Sequence, residues 1–177
     1  LLRIDENDES AEKFNYREVD WKKYDAVLIS NYDKGFINGM SDVRKVCLQH
    51  DNVFLDSNKS KIDTDLPLNL KFLKINESGL EVNPHLKHHL IPEPQFNQAY
   101  TRPEQIVLTR GHKGCDYLGK NYLPPRKVSS QDLSGAGDTF FAALAVATMK
   151  GDSPEKAVEF ANECSCKVVS RRGVATV

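Results

Sequence analysis

The sequence predicts an α/β fold in which a mostly parallel sheet lies between two layers of helices, a three-layer αβα sandwich. Short apolar runs rich in Val, Ile, Leu and Phe recur along the chain, each about as long as a buried strand. A segment with helical spacing separates the first two runs, which is typical of a β-α-β unit. The 177 residues, of which 40% are hydrophobic and 28% charged, fit one domain, residues 1–177.

Four buried strands are expected in the parallel part of the sheet, and helices must cover both faces of such strands. They are Ala26–Ser30, Val53–Asp56, Phe72–Ile75 and Ile106–Thr109. A helix is expected within residues 38–50, where apolar residues lie near helical spacing. Residues 57–70 and 78–104 contain most of the prolines, so we expect long connections there with at most short helices.

The last part of the chain predicts a hairpin followed by two helices. The hairpin strands are Cys115–Leu118 and Asn121–Leu123. The first helix is expected from about Ala136 to Lys150 and is apolar nearly all round, which predicts burial on most sides. The second is expected to begin after an N-cap at Ser153 and to end near Ser170.

Composition and charge exclude several classes of function. A net charge of −1 argues against nucleic acid as the main partner, because phosphate-backbone binding needs a concentrated basic surface. No apolar run approaches the roughly 18 residues needed to cross a bilayer, so no membrane partner is expected. The chain starts without Met and without a signal peptide, which predicts a processed or partial chain located in the cytoplasm.

The cysteines and the clustered histidines do not have the spacing of a metal site. No second cysteine pair completes a zinc set, and we expect free thiols in a reducing cytosol. His85, His88 and His89 lie in a proline-rich stretch without a carboxylate at motif spacing, so metal binding is not predicted for them.

The segment Asp132–Thr139, directly before the first of these two helices, has the pattern of an anion site. Gly135 and Gly137 flank one small residue, so backbone N–H groups can turn toward one point where the helix dipole is positive. Such a site favours a phosphate or the charge that grows during phosphoryl transfer. Asp138 would repel a bound phosphate, which suggests a general base; the alternative is that it only complements the helix dipole.

The pattern Asp132-x-x-Gly135-Ala136-Gly137-Asp138 before an apolar helix closely resembles the signature of the PfkB, or ribokinase-like, family of carbohydrate kinases. The resemblance implies a ribokinase-like fold and an ATP-dependent kinase, with Asp138 as the catalytic base and the Gly135, Ala136 and Gly137 amides as the anion hole. It covers nearly all of the chain, but it corresponds to the ATP-binding half of a family member, with the N-terminal part and the lid missing.

The same resemblance implies a nucleotide site that holds ATP with Mg²⁺. Residues 108–114 are similar to the family's strand and turn that hold phosphate and ribose, and Asn162 takes the place that lines the adenine pocket. Lys34 and Asn76 are implied to help hold the phosphates. The full set of cofactor-binding residues is Lys34, Asn76, Thr109, Gly111, Gly114, Asp132 and Asn162.

Some positions depart from the family's pattern. Leu133 replaces Thr, Asn31 replaces Asp, and Gly79 stands where the Asn-x-x-Glu motif linked to magnesium has Glu. Either Glu77 substitutes for that Glu or metal handling is weakened, so no residue is assigned to the metal. Asn76 also has a structural alternative, which is to cap the following helix.

Within the family, the chain looks most similar to the heptose 7-phosphate kinase domain of ADP-heptose synthase. The segments that carry this similarity are Leu2–Asp5, Leu108–Gly111 and Gly173–Val177. It implies a small-molecule sugar or sugar phosphate as acceptor, heptose 7-phosphate among them, and allows a homodimer. The alternative function is a non-catalytic nucleotide-binding fragment or a degenerate kinase.

Overall fold

Among the residues that the structure describes, the sheet has six strands, β1 to β6, in sequence order. A computed structural model of the chain describes residues 13–58, 60–90, 103–125 and 135–170. The strands are β1 (Val27–Asn31), β2 (Val53–Ser57), β3 (Leu70–Asn76), β4 (Ile106–Thr109), β5 (Cys115–Tyr117) and β6 (Lys120–Tyr122). Neighbours from β1 to β4 pair in parallel, whereas β5 and β6 form an antiparallel hairpin beside β4. The predicted strands and the mostly parallel sheet are therefore confirmed.

In the described part of the chain, three longer α-helices and two short ones accompany the sheet. They are α1 (Gly39–Cys47), α2 (Glu77–Val82), α3 (Lys87–Leu90), α4 (Ala136–Met149) and α5 (Pro154–Val169). The predicted helices α1, α4 and α5 are confirmed, and α5 begins as expected, with the Ser153 side chain accepting a hydrogen bond from Lys156 N. The short helices α2 and α3 lie in the segment expected to contain little regular structure.

Two apolar cores lie on opposite faces of the sheet, which confirms the three-layer arrangement. Side chains alternate between the faces of a strand, so adjacent residues of β2 enter different cores. Val53 and Leu55 pack in the core that contains Val43 and Val46 of α1. Phe54 packs in the other core, which contains residues of α4 and α5. Helix layers therefore cover both faces of the buried strands.

Helix α4 is less buried than its composition predicts. Phe140, Phe141 and Leu144 are buried against the sheet and α5, as expected. Val146 and Met149, however, are 48% and 39% exposed. The prediction of burial on most sides was therefore too broad, because among the described residues no further layer covers the outer side of this helix.

The cysteine side chains are buried. Cys47, Cys115 and Cys164 are free thiols, as predicted. Burial raises the pKa of Cys47 to about 11 and that of Cys115 to about 12. Both thiols should therefore stay protonated at pH 8, since the thiolate forms only as the pH approaches these raised values.

We expect iodoacetamide at pH 8 to leave Cys47 and Cys115 unmodified in the native protein and to alkylate them after denaturation in urea. Mass spectrometry of tryptic peptides measures both states of the same sample. Rapid alkylation of either thiol in native protein would contradict the burial of Cys47 and Cys115.

None of the helices in the described part of the chain has the length and apolar character that a membrane crossing requires.

Candidate active site

The candidate site lies at the edge of the sheet where the parallel strands end. Asn31, Ser57, Asn76 and Thr109 are the last residues of β1 to β4. Helix α4 starts at the same edge, because its first turn contacts Tyr32, which follows β1, and lies next to Lys74, near the end of β3. The carboxyl edge of a parallel sheet is where ligands bind in open α/β folds.

The start of α4 has the geometry of an anion site. Gly135 is the N-cap with a φ of 78°, a left-handed conformation that favours glycine, and no side chain among the described residues caps the helix. The first hydrogen bond of the helix runs from Thr139 N to Gly135 O, 2.8 Å. The amides of residues 136–138 precede this bond and have no acceptor within the helix. Gly137 is exposed, so a ligand can approach these donors.

Asp138 is exposed beside these amides and accepts one hydrogen bond from a distant part of the chain. The Tyr32 hydroxyl donates to Asp138 Oδ1 at 3.0 Å. Burial, and then the Asp138 carboxylate, raise the pKa of Tyr32, so the phenol remains a protonated donor at neutral pH. Asp138 thus faces open space at the anion site, which its predicted role as a base requires.

A buried ion pair lies beneath the same turn of α4. Lys74 of β3 contacts Asp56 of β2, with Nζ 2.7 Å from Oδ2. Burial raises the pKa of Asp56, while the neighbouring Lys74 ammonium opposes that rise. Sequence reasoning assigned no role to either residue. The available signal was a lysine inside the apolar run of β3, between Leu73 and Ile75.

The predicted phosphate and ribose turn follows β4 and is stabilised by its own backbone. Arg110 N donates to Gly114 O at 2.8 Å, and Gly114 N donates to Gly111 O at 3.0 Å. Gly111 and Gly114 have φ values of 55° and 85°, which favour glycine. A Cβ on Gly114 would also collide with the carbonyl of Tyr122. Gly114 is therefore required for packing, whether or not it contacts a nucleotide.

Asn76 and Thr109 both make structural hydrogen bonds at the ends of adjacent strands. Asn76 Oδ1 accepts from Gly79 N at 2.8 Å, so the alternative role of Asn76 as a helix cap is confirmed. Thr109 Oγ1 donates to Ile75 O at 3.2 Å. These side chains lie at the edge where α4 begins, and their contacts with a nucleotide remain predictions.

The other predicted nucleotide residues are spread more widely. Asn162 of α5 is buried, and its Nδ2 donates to Tyr122 O at 3.1 Å and Leu123 O at 2.8 Å, so it joins α5 to the end of the hairpin. Lys34 is half-buried in the bend after β1. Asp132 lies outside the described residues.

The position that departs from the Asn-x-x-Glu motif has a steric explanation. A Cβ on Gly79 would lie 3.1 Å from Ser57 O and 3.3 Å from both Cα and O of Asn58, all backbone atoms. Helix α2 therefore approaches the end of β2 so closely that a side chain at residue 79 would require the backbone of residues 57 and 58 to shift.

The carboxylate considered as a substitute is engaged elsewhere. Glu77 Oε1 lies 3.3 Å from Arg110 Nε and 3.6 Å from Lys113 Nζ. The hydrogen bond from Arg110, followed by the charge of Lys113, lowers the pKa of Glu77. With Glu77 paired and no side chain at residue 79, the described residues do not fit a carboxylate set for Mg²⁺ beside Asn76.

We expect Gly79→Glu, which restores the motif, to lower the free energy of unfolding by about 1–3 kcal/mol because it overpacks this contact. Urea denaturation measures the change. Ser78→Glu adds the same charge at the exposed neighbouring position and should have little effect. Equal stability of the two variants would show that α2 does not approach β2 this closely.

The glycine motif and its surroundings agree with a comparison to known families. The model of the pfkB family carbohydrate kinases matches residues 5–177. The chain belongs to this family. This membership confirms the predicted resemblance.

Solved ribokinases show the same fold. A ribokinase from Cryptococcus neoformans in complex with ADP has a TM-score of 0.61 at 20% identity, covering 92% of this chain and 60% of that chain. A ribokinase from Thermotoga maritima gives 0.59 at 22% identity, covering 89% of this chain and 55% of the other.

Curated relatives match at a higher identity than these structures. The bifunctional protein HldE of Nitratiruptor sp. is 28% identical over 165 residues, which are 88% of this chain and 34% of the relative. The ribokinase of Bacillus subtilis is 33% identical over 105 residues, or 55% of this chain and 36% of the relative. The chain thus spans about a third of the length of these relatives.

Proposed function

We propose that the chain carries the nucleotide-binding and phosphoryl-transfer part of an ATP-dependent sugar kinase. The observation that carries the proposal is the exposed Asp138 carboxylate beside the amides of residues 136–138. A site for an anion alone would disfavour a carboxylate at this position. Phosphoryl transfer to a hydroxyl needs both a proton acceptor and donors for the phosphoryl oxygens.

In the proposed reaction, Asp138 accepts the proton of the acceptor hydroxyl while that oxygen forms a bond to the γ-phosphorus of ATP. The bond from this phosphorus to the β,γ-bridging oxygen breaks, and ADP leaves. The amides at the start of α4 donate to the phosphoryl oxygens as charge spreads over them. Tyr32 donates to Asp138 Oδ1, which orients the carboxylate and leaves Oδ2 for the acceptor.

The nucleotide is proposed to bind between the two glycine turns, Gly111–Gly114 and Gly135–Gly137. The binding residues proposed are Lys34, Asn76, Thr109, Gly111, Gly114, Asp132 and Asn162. Mg²⁺ would accompany ATP through phosphate oxygens and water, its common mode in nucleotide sites. No carboxylate of the chain is assigned to the metal.

The acceptor is proposed to be a sugar or sugar phosphate in the cytoplasm. Similarity to the heptose 7-phosphate kinase domain makes heptose 7-phosphate the first acceptor to test. Matches to HldE over most of the chain support this choice. Nucleic acids and membranes are not proposed as partners, and a homodimer is consistent with the family resemblance.

A second candidate function is nucleotide binding without catalysis. It is favoured by Gly79 at the Glu position and by Asn31, whose side chain is buried and bonds to Ser60 Oγ at 2.9 Å and Asp33 N at 3.0 Å. These contacts give Asn31 a structural role in place of a charge.

Isothermal titration with ATP, run beside a coupled kinase assay on a panel of sugars and sugar phosphates, separates the two functions. We expect the full-length protein to bind MgATP and to release ADP with at least one acceptor. Binding without turnover across the panel would favour the non-catalytic function, and absence of nucleotide binding would contradict both.

A further inference from the structure

The Asp56–Lys74 pair is buried at the same edge of the sheet as the candidate site. The two residues lie opposite each other in the register of β2 and β3, and both side chains are 3% exposed. Burying two charges is costly, and an apolar pair of similar size is often equally stable or more stable. Stability alone therefore gives no reason for an ion pair at this position.

The Lys74 ammonium lies directly beneath the first turn of α4. A Cβ built on Gly137 would lie 3.4 Å from Lys74 Nζ and 3.9 Å from its Cε. Gly137 itself is exposed. A buried positive charge thus lies next to the backbone of Gly137, in the same turn that carries Asp138. In a poorly solvated position such a charge acts more strongly than at a surface.

The hydrogen-bonding capacity of this pair is only partly used by the described residues. An ammonium has three N–H donors, and among residues 13–58, 60–90, 103–125 and 135–170 Lys74 Nζ donates to Asp56 Oδ2. Asp56 Oδ1 is buried and has no partner within the same ranges. The ammonium therefore has N–H donors that the described residues leave available to a further acceptor next to the anion site.

We propose that Lys74 is a further residue of the phosphoryl-transfer site, where its ammonium stabilises the transferred phosphoryl group from beneath the amides of residues 136–138. Asp56 is the positioning residue that holds this ammonium under Gly137. The inference rests on the proposed kinase function and adds to the glycine motif a charge on β3.

The test needs a variant that removes the charge without leaving an unpaired partner in the core. Lys74→Met alone would bury the Asp56 carboxylate unpaired and risks misfolding. The double variant Asp56→Asn/Lys74→Met removes both charges. The matched control is Asp42→Asn/Lys45→Met, which removes an ion pair of 2.8 Å in α1.

In the full-length protein, we expect Asp56→Asn/Lys74→Met to fold and to bind MgADP much as the wild type does. Its kcat should fall by ~10²-fold, the scale for one lost donor to a developing oxyanion, with little change in KM for the acceptor. Isothermal titration should show the affinity for β,γ-imido-ATP falling by ~10-fold relative to that for ADP, because a charged hydrogen bond to the γ-phosphate is lost. The α1 control should match the wild type in kcat, in KM and in the affinities for both nucleotides.

Failure of this inference and failure of the proposed function give different results. A folded double variant with wild-type kcat and a wild-type ratio of the two affinities would show that the pair is merely structural. If the wild type binds both nucleotides but phosphorylates no sugar, the kinase function fails, and the affinity ratio still decides the role of Lys74. A wild type that binds neither nucleotide overturns both.

Discussion

Replacement of Asp138 by Asn in the full-length protein is expected to lower the turnover number by ~10²–10⁴-fold, the usual contribution of a general base. Asn keeps the size of the side chain and can still accept the hydrogen bond from Tyr32. The substitution therefore removes the capacity to take up a proton and leaves the amides of α4 in place. Steady-state kinetics measure the loss, and isothermal titration should show little change in affinity for MgATP.

The control for this variant is Asp152→Asn, at an exposed residue just beyond the opposite end of α4. It removes the same charge from the chain without touching the site, so its turnover number should equal that of the wild type. Near-normal turnover of Asp138→Asn would defeat the assignment of the base. An equal loss in both variants would point to a general effect of charge.

Replacement of Gly114 by Ala is expected to lower the free energy of unfolding by about 3 kcal/mol. Its φ of 85° and ψ of −135° lie in a region that residues with side chains rarely adopt, at a cost of about 1–3 kcal/mol. Its Cβ would also collide with the carbonyl of Tyr122, a backbone atom of β6 that cannot rotate away, and such overpacking typically costs about 1–3 kcal/mol. In a protein of this size the change corresponds to a melting temperature lower by about 6–12 °C.

Gly111→Ala separates the two contributions. Gly111 also has a positive φ, 55°, but a Cβ there would meet no atom within 4 Å. Its substitution should cost only about 1 kcal/mol. Thermal and urea unfolding of both variants measure the difference. If Gly114→Ala were no less stable than Gly111→Ala, the close approach of the turn to β6 would be wrong.

Strand positions and helix starts could be predicted because their signals are local. The apolar runs Ala26–Ser30 and Val53–Asp56 predicted β1 and β2 to within one residue at each end. Ser153 predicted the start of α5, because an N-cap preference acts within one turn. The exposed side of α4 could not be predicted in this way, since the apolar composition of a helix does not show which of its sides the neighbouring elements cover.

The candidate site was predicted only in part for the same reason. Gly135–Asp138 form a short contiguous motif, so their position at a helix start follows from the sequence. Tyr32 contributes from 106 residues away, and its contact with Asp138 depends on how β1 and α4 lie in the folded chain. Likewise, the absence of a side chain at Gly79 looked like a weakened motif, whereas the fold shows a close contact with β2.

The sequence by itself determined the family, the order of the elements and the helix start that carries the carboxylate. Each of these features depends on residues that are neighbours in the sequence. Only the tertiary structure decided which charges surround that helix start. The register of β2 and β3 places Asp56 beside Lys74, and the packing of α4 on the sheet places Gly137 above the ammonium. Contacts of this kind depend on distances between strands and helices, which local residue preferences do not encode.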